Sequence, residues 1–220
     1  AAAGGEALED VELTIIFGTD HAGGPGSFTL TRQNYATPLG VSPTDRSIVD
    51  GLADAIGPSN AFAEELHHIS EHSIELALVW FQHFRNRPCP IVPVLCGSFT
   101  DFVLGENDPA EDERIGAVIE FLRDQTKGRR TLVIAAGDLA HVGPAFGDLS
   151  PMDAVARTRL AGKDAETIAA ICDGDANALL TLSSSEADAR RTCGLPPIYM
   201  ALRLLGEVRG QSVGYAQCPA

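Results

Sequence analysis

The chain has 220 residues, 45% of them hydrophobic and 21% charged, which is enough for one domain with a core of its own. Its formal net charge of -14 and pI near 4.7 argue against sequence-independent nucleic-acid binding, which needs clustered Lys and Arg. The five cysteines, at positions 89, 96, 172, 193 and 218, are scattered and form no Cys-x-x-Cys pair. That pattern disfavours a disulfide framework or a structural zinc knuckle and favours a reducing, cytoplasmic setting.

No apolar run has the length of a transmembrane helix, and no basic-then-apolar segment opens the chain, so neither a membrane span nor a secretion signal is expected. Ala1 to Gly5 carry little information and read as a tail, a tag remnant or the visible start of a longer chain. The first strand is predicted over Val11–Phe17, running into Gly18-Thr19-Asp20-His21. A Gly-rich loop over Ala22–Ser27 follows, then a short strand at Phe28-Thr29-Leu30-Thr31. Ser42-Pro43 reads as the opening of a helix with Ile48, Leu52 and Ala55 on one face.

Glu71–Phe84 is predicted helical, with Ile74, Leu78 and Phe81 as its apolar stripe. A buried strand, Ile91–Leu95, runs into Cys96-Gly97. Ile115, Val118, Ile119 and Leu122 mark another amphipathic helix. The strand Thr131–Ala136 then runs into Gly137-Asp138-Leu139-Ala140-His141. From Pro151 to Leu205 the pattern is mostly helical, with breaks at Asp173-Gly174 and around Thr192–Pro197. Ser212–Ala216 reads as a last strand. Strands alternating with helices predict a single α/β domain over residues 1–220, with a mixed, mostly parallel sheet flanked by helices.

In three places an apolar strand ends abruptly in small or ionisable residues. Ligands of open α/β sheets bind beyond the carboxyl ends of the strands, so these ends are the first candidates for a site. A histidine there is most often simply hydrogen-bonded, and this is the bland reading of His21. His141 gains from Asp138 three residues earlier, because a carboxylate can orient an imidazole and raise its basicity. Glu71 and Glu75 are expected to be structural, since first-turn carboxylates offset the helix dipole. His67, His68 and His83 offer no usable spacing. Cys193, before Gly194 and Pro196-Pro197, lies in a non-helical break where a thiol could face a cleft, or could be an inert small hydrophobe.

Taken in order, Gly18-Thr19-Asp20-His21, Thr37-Pro38-Leu39-Gly40, Glu71-His72-Ser73-Ile74-Glu75, Ile91-Val92-Pro93-Val94-Leu95, Gly137-Asp138-Leu139-Ala140-His141, Thr192-Cys193-Gly194 and Ser212-Val213-Gly214-Tyr215-Ala216 resemble the Memo-like family. Its microbial members are called AmmeMemoRadiSam system protein B. The resemblance implies a fold similar to that of the class III extradiol dioxygenases, which use non-haem iron. It implies metal ligands at His21 and Cys193 and a proton-transfer role for His141 with Asp138. Imidazole plus thiolate suits iron or copper.

The family's first metal histidine lies in a Pro-His-Ala-Gly-Tyr segment one strand upstream, and nothing in this chain occupies that place. The domain therefore reads as one that lacks the family's N-terminal strand segment. The carboxyl end also reads as shortened, and Val142 stands where the family commonly has Trp. The resemblance implies an oxidoreductase acting on a small molecule, with a radical-SAM system partner. The alternatives are a non-catalytic protein using the same cleft for a peptide or partner, or a divalent-metal hydrolase.

Overall fold

The computed structural model describes residues 8–218 apart from 86 and 106. Its centre is a four-stranded sheet in the order β2 (Phe28–Leu30), β5 (Ile91–Cys96), β1 (Leu13–Thr19) and β6 (Thr131–Ala136). β5, β1 and β6 run parallel, and β2 is an antiparallel edge on β5. A separate hairpin joins β3 (Tyr35–Thr37) to β4 (Gly40–Ser42). The helices are α1 (Arg46–Ile56), α2 (Pro58–Ala61), α3 (His67–Ser70), α4 (Ser73–Phe84), α5 (Thr100–Leu104), α6 (Glu113–Thr126), α7 (Ala154–Cys172), α8 (Ala176–Ser185) and α9 (Leu195–Leu205). This is the mixed, mostly parallel α/β architecture that the alternation of strands and helices predicts.

Period-two alternation along β1 divides the core. Leu13, Ile15 and Phe17 point to one face, where they join buried residues of α1, α6 and α9. Ile16 points to the other, with Ile74, Leu78 and Phe81 of α4. Because β1 is buried on both faces, it reads as an unbroken apolar run. α9 is buried almost all round, including Pro196 and Pro197, which sit in its first turn where a missing N–H costs nothing.

β2 is short for a reason legible in β5. Ile91 bonds outward, its N–H to Pro43 O and its carbonyl from Asp45 N, so strand alternation turns Pro93 outward as well. Pro93 has no N–H to give, and β2 stops at Leu30, opposite Val94 and one residue short of it. The same bonds delay the next helix. Pro43 and Asp45 form an extra rung beside Ile91, so α1 opens at Arg46 under an Asp45 cap, and not at Ser42-Pro43. Asp112, Asp153 and Asp175 cap α6, α7 and α8 in the same way, which puts part of the acidic excess to local structural use.

Two further expectations are corrected. Ser212–Ala216 forms no strand. Residues 210–217 run along α7, held by Gly210 N–H on Cys172 O, the Tyr215 hydroxyl on Asp164 Oδ2 (2.7 Å) and the Gln217 amide on Arg157 O (2.9 Å). α4 opens at Ser73, two residues late, because Glu71 is extended and its side chain is engaged elsewhere. α4 also carries a second apolar stripe, Leu76, Trp80 and Phe84, which faces outward with Trp80 63% exposed. Among the described residues, no helix is long and apolar enough to cross a membrane.

The loop between α8 and α9 is fixed by a buried ion cluster. Arg190 Nη1 donates to Asp164 Oδ1 (2.7 Å), Nη2 to Thr167 Oγ1 (3.0 Å) and Nε to Glu186 Oε1 (2.5 Å). Both Arg190 and Asp164 are almost fully buried. Arg190→Ala should therefore lower unfolding free energy by about 3–5 kcal/mol, since it strands a buried carboxylate. Arg209→Ala, which breaks an exposed pair with Asp173, should change it by no more than about 0.5 kcal/mol. Urea titration followed by circular dichroism checks both.

Candidate metal centre

β1 lies between β5 and β6, so the chain leaves it toward one side and later returns to the other, opening a crevice at its carboxyl end. Asp20 and His21 follow β1 directly, and Asp138 and His141 follow β6. The α8–α9 loop brings Cys193 across both. Thr19 Oγ1 donates to Cys193 O at 2.9 Å, and Gly194 N–H bonds to Asp138 O. Two glycines permit this approach: a Cβ on Gly137 would meet Gly194 Cα at 2.5 Å, and one on Gly194 would meet Asp138 O at 2.5 Å.

Asp138, His141 and Cys193 offer donor atoms that all lie within 4.8 Å of one another. The Cys193 thiol donates to Asp138 Oδ1 at 2.9 Å, and its sulfur is 3.9 Å from His141 Nε2. His141 Nδ1 faces two backbone carbonyls, Leu139 O (3.3 Å) and Arg191 O (3.2 Å), which can only accept. The proton therefore sits on Nδ1 and the Nε2 lone pair points inward. The tautomer is set by these carbonyls, while Asp138 lies on the Nε2 side at 3.4 Å. A lone pair facing a carboxylate calls for a proton or a cation between them.

Burial, and after it the hydrogen bond and charge of Asp138, push the Cys193 thiol up to about 12. A bound ion would have to displace that proton. The donor set of thiol, imidazole and carboxylate fits a transition metal better than a hard ion such as Mg²⁺ or Ca²⁺.

His21 belongs to a second group, with Glu71 and His72. Its Nδ1–H donates to the Glu71 carboxylate at 3.0 Å, and its own backbone N–H reaches Glu71 Oε1 at 2.9 Å. Its ring stacks on His72, with centroids 5.4 Å apart. Glu71 thus clamps His21 and leaves Nε2 free, the carboxylate–imidazole arrangement common behind metal-binding histidines. Glu75, by contrast, sits in the first turn of α4. His21 and Cys193 line one cavity of about 180 Å³. The structure thus brings Cys193 against Asp138 and His141, and sets His21 in the wall of the cavity it shares with Cys193.

Sequence spacing gave no hint of the layer beneath. Asp20 is buried and accepts from Thr29 Oγ1 (3.1 Å), Ala22 N–H (3.2 Å) and His67 Nδ1 (3.0 Å), while His67 Nε2 lies 3.4 Å from Glu64. Carboxylates at both ring nitrogens favour the imidazolium, and the Asp20 hydrogen bond is the main cause of the raised His67 pKa. His68 is the opposite case. Burial lowers it to about 4, and its Nδ1 faces the Tyr35 hydroxyl at 2.5 Å.

Beyond the strand ends of this α/β sheet lie two groups of side chains, Asp138, His141 and Cys193, and His21, Glu71 and His72, whose donor atoms could hold a metal ion. The family described as Memo-like protein matches residues 2–219, and the chain belongs to that family. A MEMO1 family protein of Methanosarcina acetivorans is 29% identical over 134 residues, covering 61% of this chain and 45% of the relative. One from Methanosarcina mazei matches at the same identity and coverage. One from Methanobrevibacter smithii is 33% identical over 131 residues, 59% of this chain and 42% of its own. The matched segment spans less than half the length of these relatives.

Two outcomes follow from the geometry. Asp138→Asn removes the charge that helps hold the Cys193 thiol protonated and leaves only a weaker amide acceptor in place of the carboxylate, so iodoacetamide should modify Cys193 faster at pH 8 in the chelator-treated variant than in wild type, as mass spectrometry would show. Folding favours the protonated His67, so its stabilisation is full below the unfolded value of 6.5 and fades as pH rises through the higher folded value. The stability difference between wild type and His67→Gln should therefore be larger at pH 6 than at pH 9 in urea titrations.

Proposed function

We propose that this Memo-family chain binds iron or copper at the ends of β1 and β6, with His21 and Cys193 as ligands, and acts as an oxidoreductase on a small molecule. The observation that carries the reading is the position of Cys193. It lines one cavity with His21, and its sulfur lies against Asp138 and His141. Such an ion, when bound, supplies Lewis acidity and electron-transfer chemistry.

The remaining roles belong to the chain. Glu71 holds His21 through Nδ1 and keeps Nε2 available. The carbonyls of Leu139 and Arg191 do the same for His141, whose Nε2 can take a proton from a bound molecule and return it. Asp138, beside that nitrogen, stabilises the imidazolium that results. The five cysteines are free thiols, which supports a reducing, cytoplasmic setting.

A second reading places His141 among the ligands, because Asp138, His141 and Cys193 are the donors already within mutual reach. Metal content per chain, measured after anaerobic, reducing purification, separates the two. His21→Ala and Cys193→Ser should each lose the ion while His141→Ala keeps it. Loss in His141→Ala with retention in His21→Ala would move the ion to the group of Asp138, His141 and Cys193. Equal content in wild type and every variant would overturn both readings in favour of a binding protein.

A further inference from the structure

On the far side of His141 lies a second, larger cavity of about 580 Å³, within the size range of small-molecule sites. It is walled by residues following β6, by α7 and by residues 214–218 of the tail. Its surface is largely apolar, with Leu139, Phe146, Leu160 and Ile168 among the lining residues. The Phe146 ring meets the His141 imidazole edge-on, with centroids 4.8 Å apart, so a flat molecule resting on Phe146 lies beside the proposed proton carrier.

The wall carries two carboxylates and one guanidinium. Asp164 is fully engaged, Oδ1 by Arg190 and Oδ2 by Tyr215, and Asp138 takes the Cys193 thiol. Arg157 also lines the cavity. Its Nε donates to Met152 O at 2.9 Å, and among the described residues no carboxylate lies within ion-pair distance of its guanidinium. Among the described residues Arg46, Arg85, Arg123, Arg159 and Arg203 are likewise in no ion pair, but of these unpaired arginines only Arg157 lines this cavity. A planar guanidinium with free donors, set at the wall of an apolar chamber, is built to receive an acid group from outside the protein.

We propose that this cavity binds a small organic anion, a flat apolar body bearing one acid group, with Arg157 receiving the acid and Phe146, Leu139, Leu160 and Ile168 holding the body against His141. This names the substrate class for the reading above and rests on it only for what His141 does to the bound molecule. Binding itself needs no ion.

The probe pair is 8-anilinonaphthalene-1-sulfonate, flat and singly anionic, and N-phenyl-1-naphthylamine, its neutral counterpart, each followed by its own fluorescence on direct excitation. Wild type should bind both saturably. Arg157→Gln should weaken the sulfonate by about tenfold or more while leaving the neutral probe within about twofold, because only the charged contact is lost. Phe146→Ala, at a half-exposed position that tolerates truncation, should weaken both. Equal affinity of wild type and Arg157→Gln for the sulfonate would overturn the proposal, as would binding of both probes that survives Phe146→Ala. Metal content of Arg157→Gln should equal that of wild type. Failure of the probes with the ion retained strikes this proposal alone, and loss of the ion from wild type with probe binding intact strikes the metal reading alone.

Discussion

One buried guanidinium organises the functional half of this molecule. Arg190 ties α7 to the α8–α9 loop through Asp164, Thr167 and Glu186, and its own carbonyl accepts the His141 N–H at 2.8 Å. It therefore links the two segments that bring Cys193 and His141 together. The loop it holds is costly by itself. Ala187, Asp188 and Arg191 all sit at positive φ, of 49°, 55° and 50°, in a region that disfavours side chains by about 1–2 kcal/mol each. Such a run persists only where the surroundings over-determine it, and the buried ion cluster, with Arg191 gripping Asp148 alongside, supplies that constraint. The thiol is placed by charge pairing two and more residues away, not by its own packing.

Much of the sheet was legible because its signals are local. β1, β5 and β6 are apolar on both faces and end in Asp, His or Gly, so the runs and their exits could be read directly. The helices α4 and α6 announce themselves by apolar spacing. Boundaries were harder wherever a tertiary bond overrides a local preference. Ser42-Pro43 has the chemistry of a helix start, yet the open outer side of β5 captures that backbone first. Ser212–Ala216 has strand-like composition, yet Tyr215 and Gln217 are claimed by α7.

The candidate site was legible in part. Asp138 and His141 share one strand exit, and their proximity follows from sequence spacing alone. Cys193 and His21 are distant in sequence, and it was the order of motifs across the family that linked them. The grip of Glu71 on His21 was masked by a plausible helix-dipole role, which the structure gives to Glu75 instead. The Asp20–His67 pair and the Arg190–Asp164 pair were invisible, since partners 47 and 26 residues apart leave no periodic trace.

The outward stripe on α4 has a practical consequence. Trp80 is the only tryptophan of the chain, it is mostly solvent-exposed, and it stacks on Phe84 on the helix face turned away from the sheet. Intrinsic tryptophan emission from this protein therefore reports on its outer skin. It should already be red-shifted in the native state, change little on unfolding, and be nearly blind to events at Cys193. The signal most laboratories reach for first is, in this molecule, attached to the wrong wall.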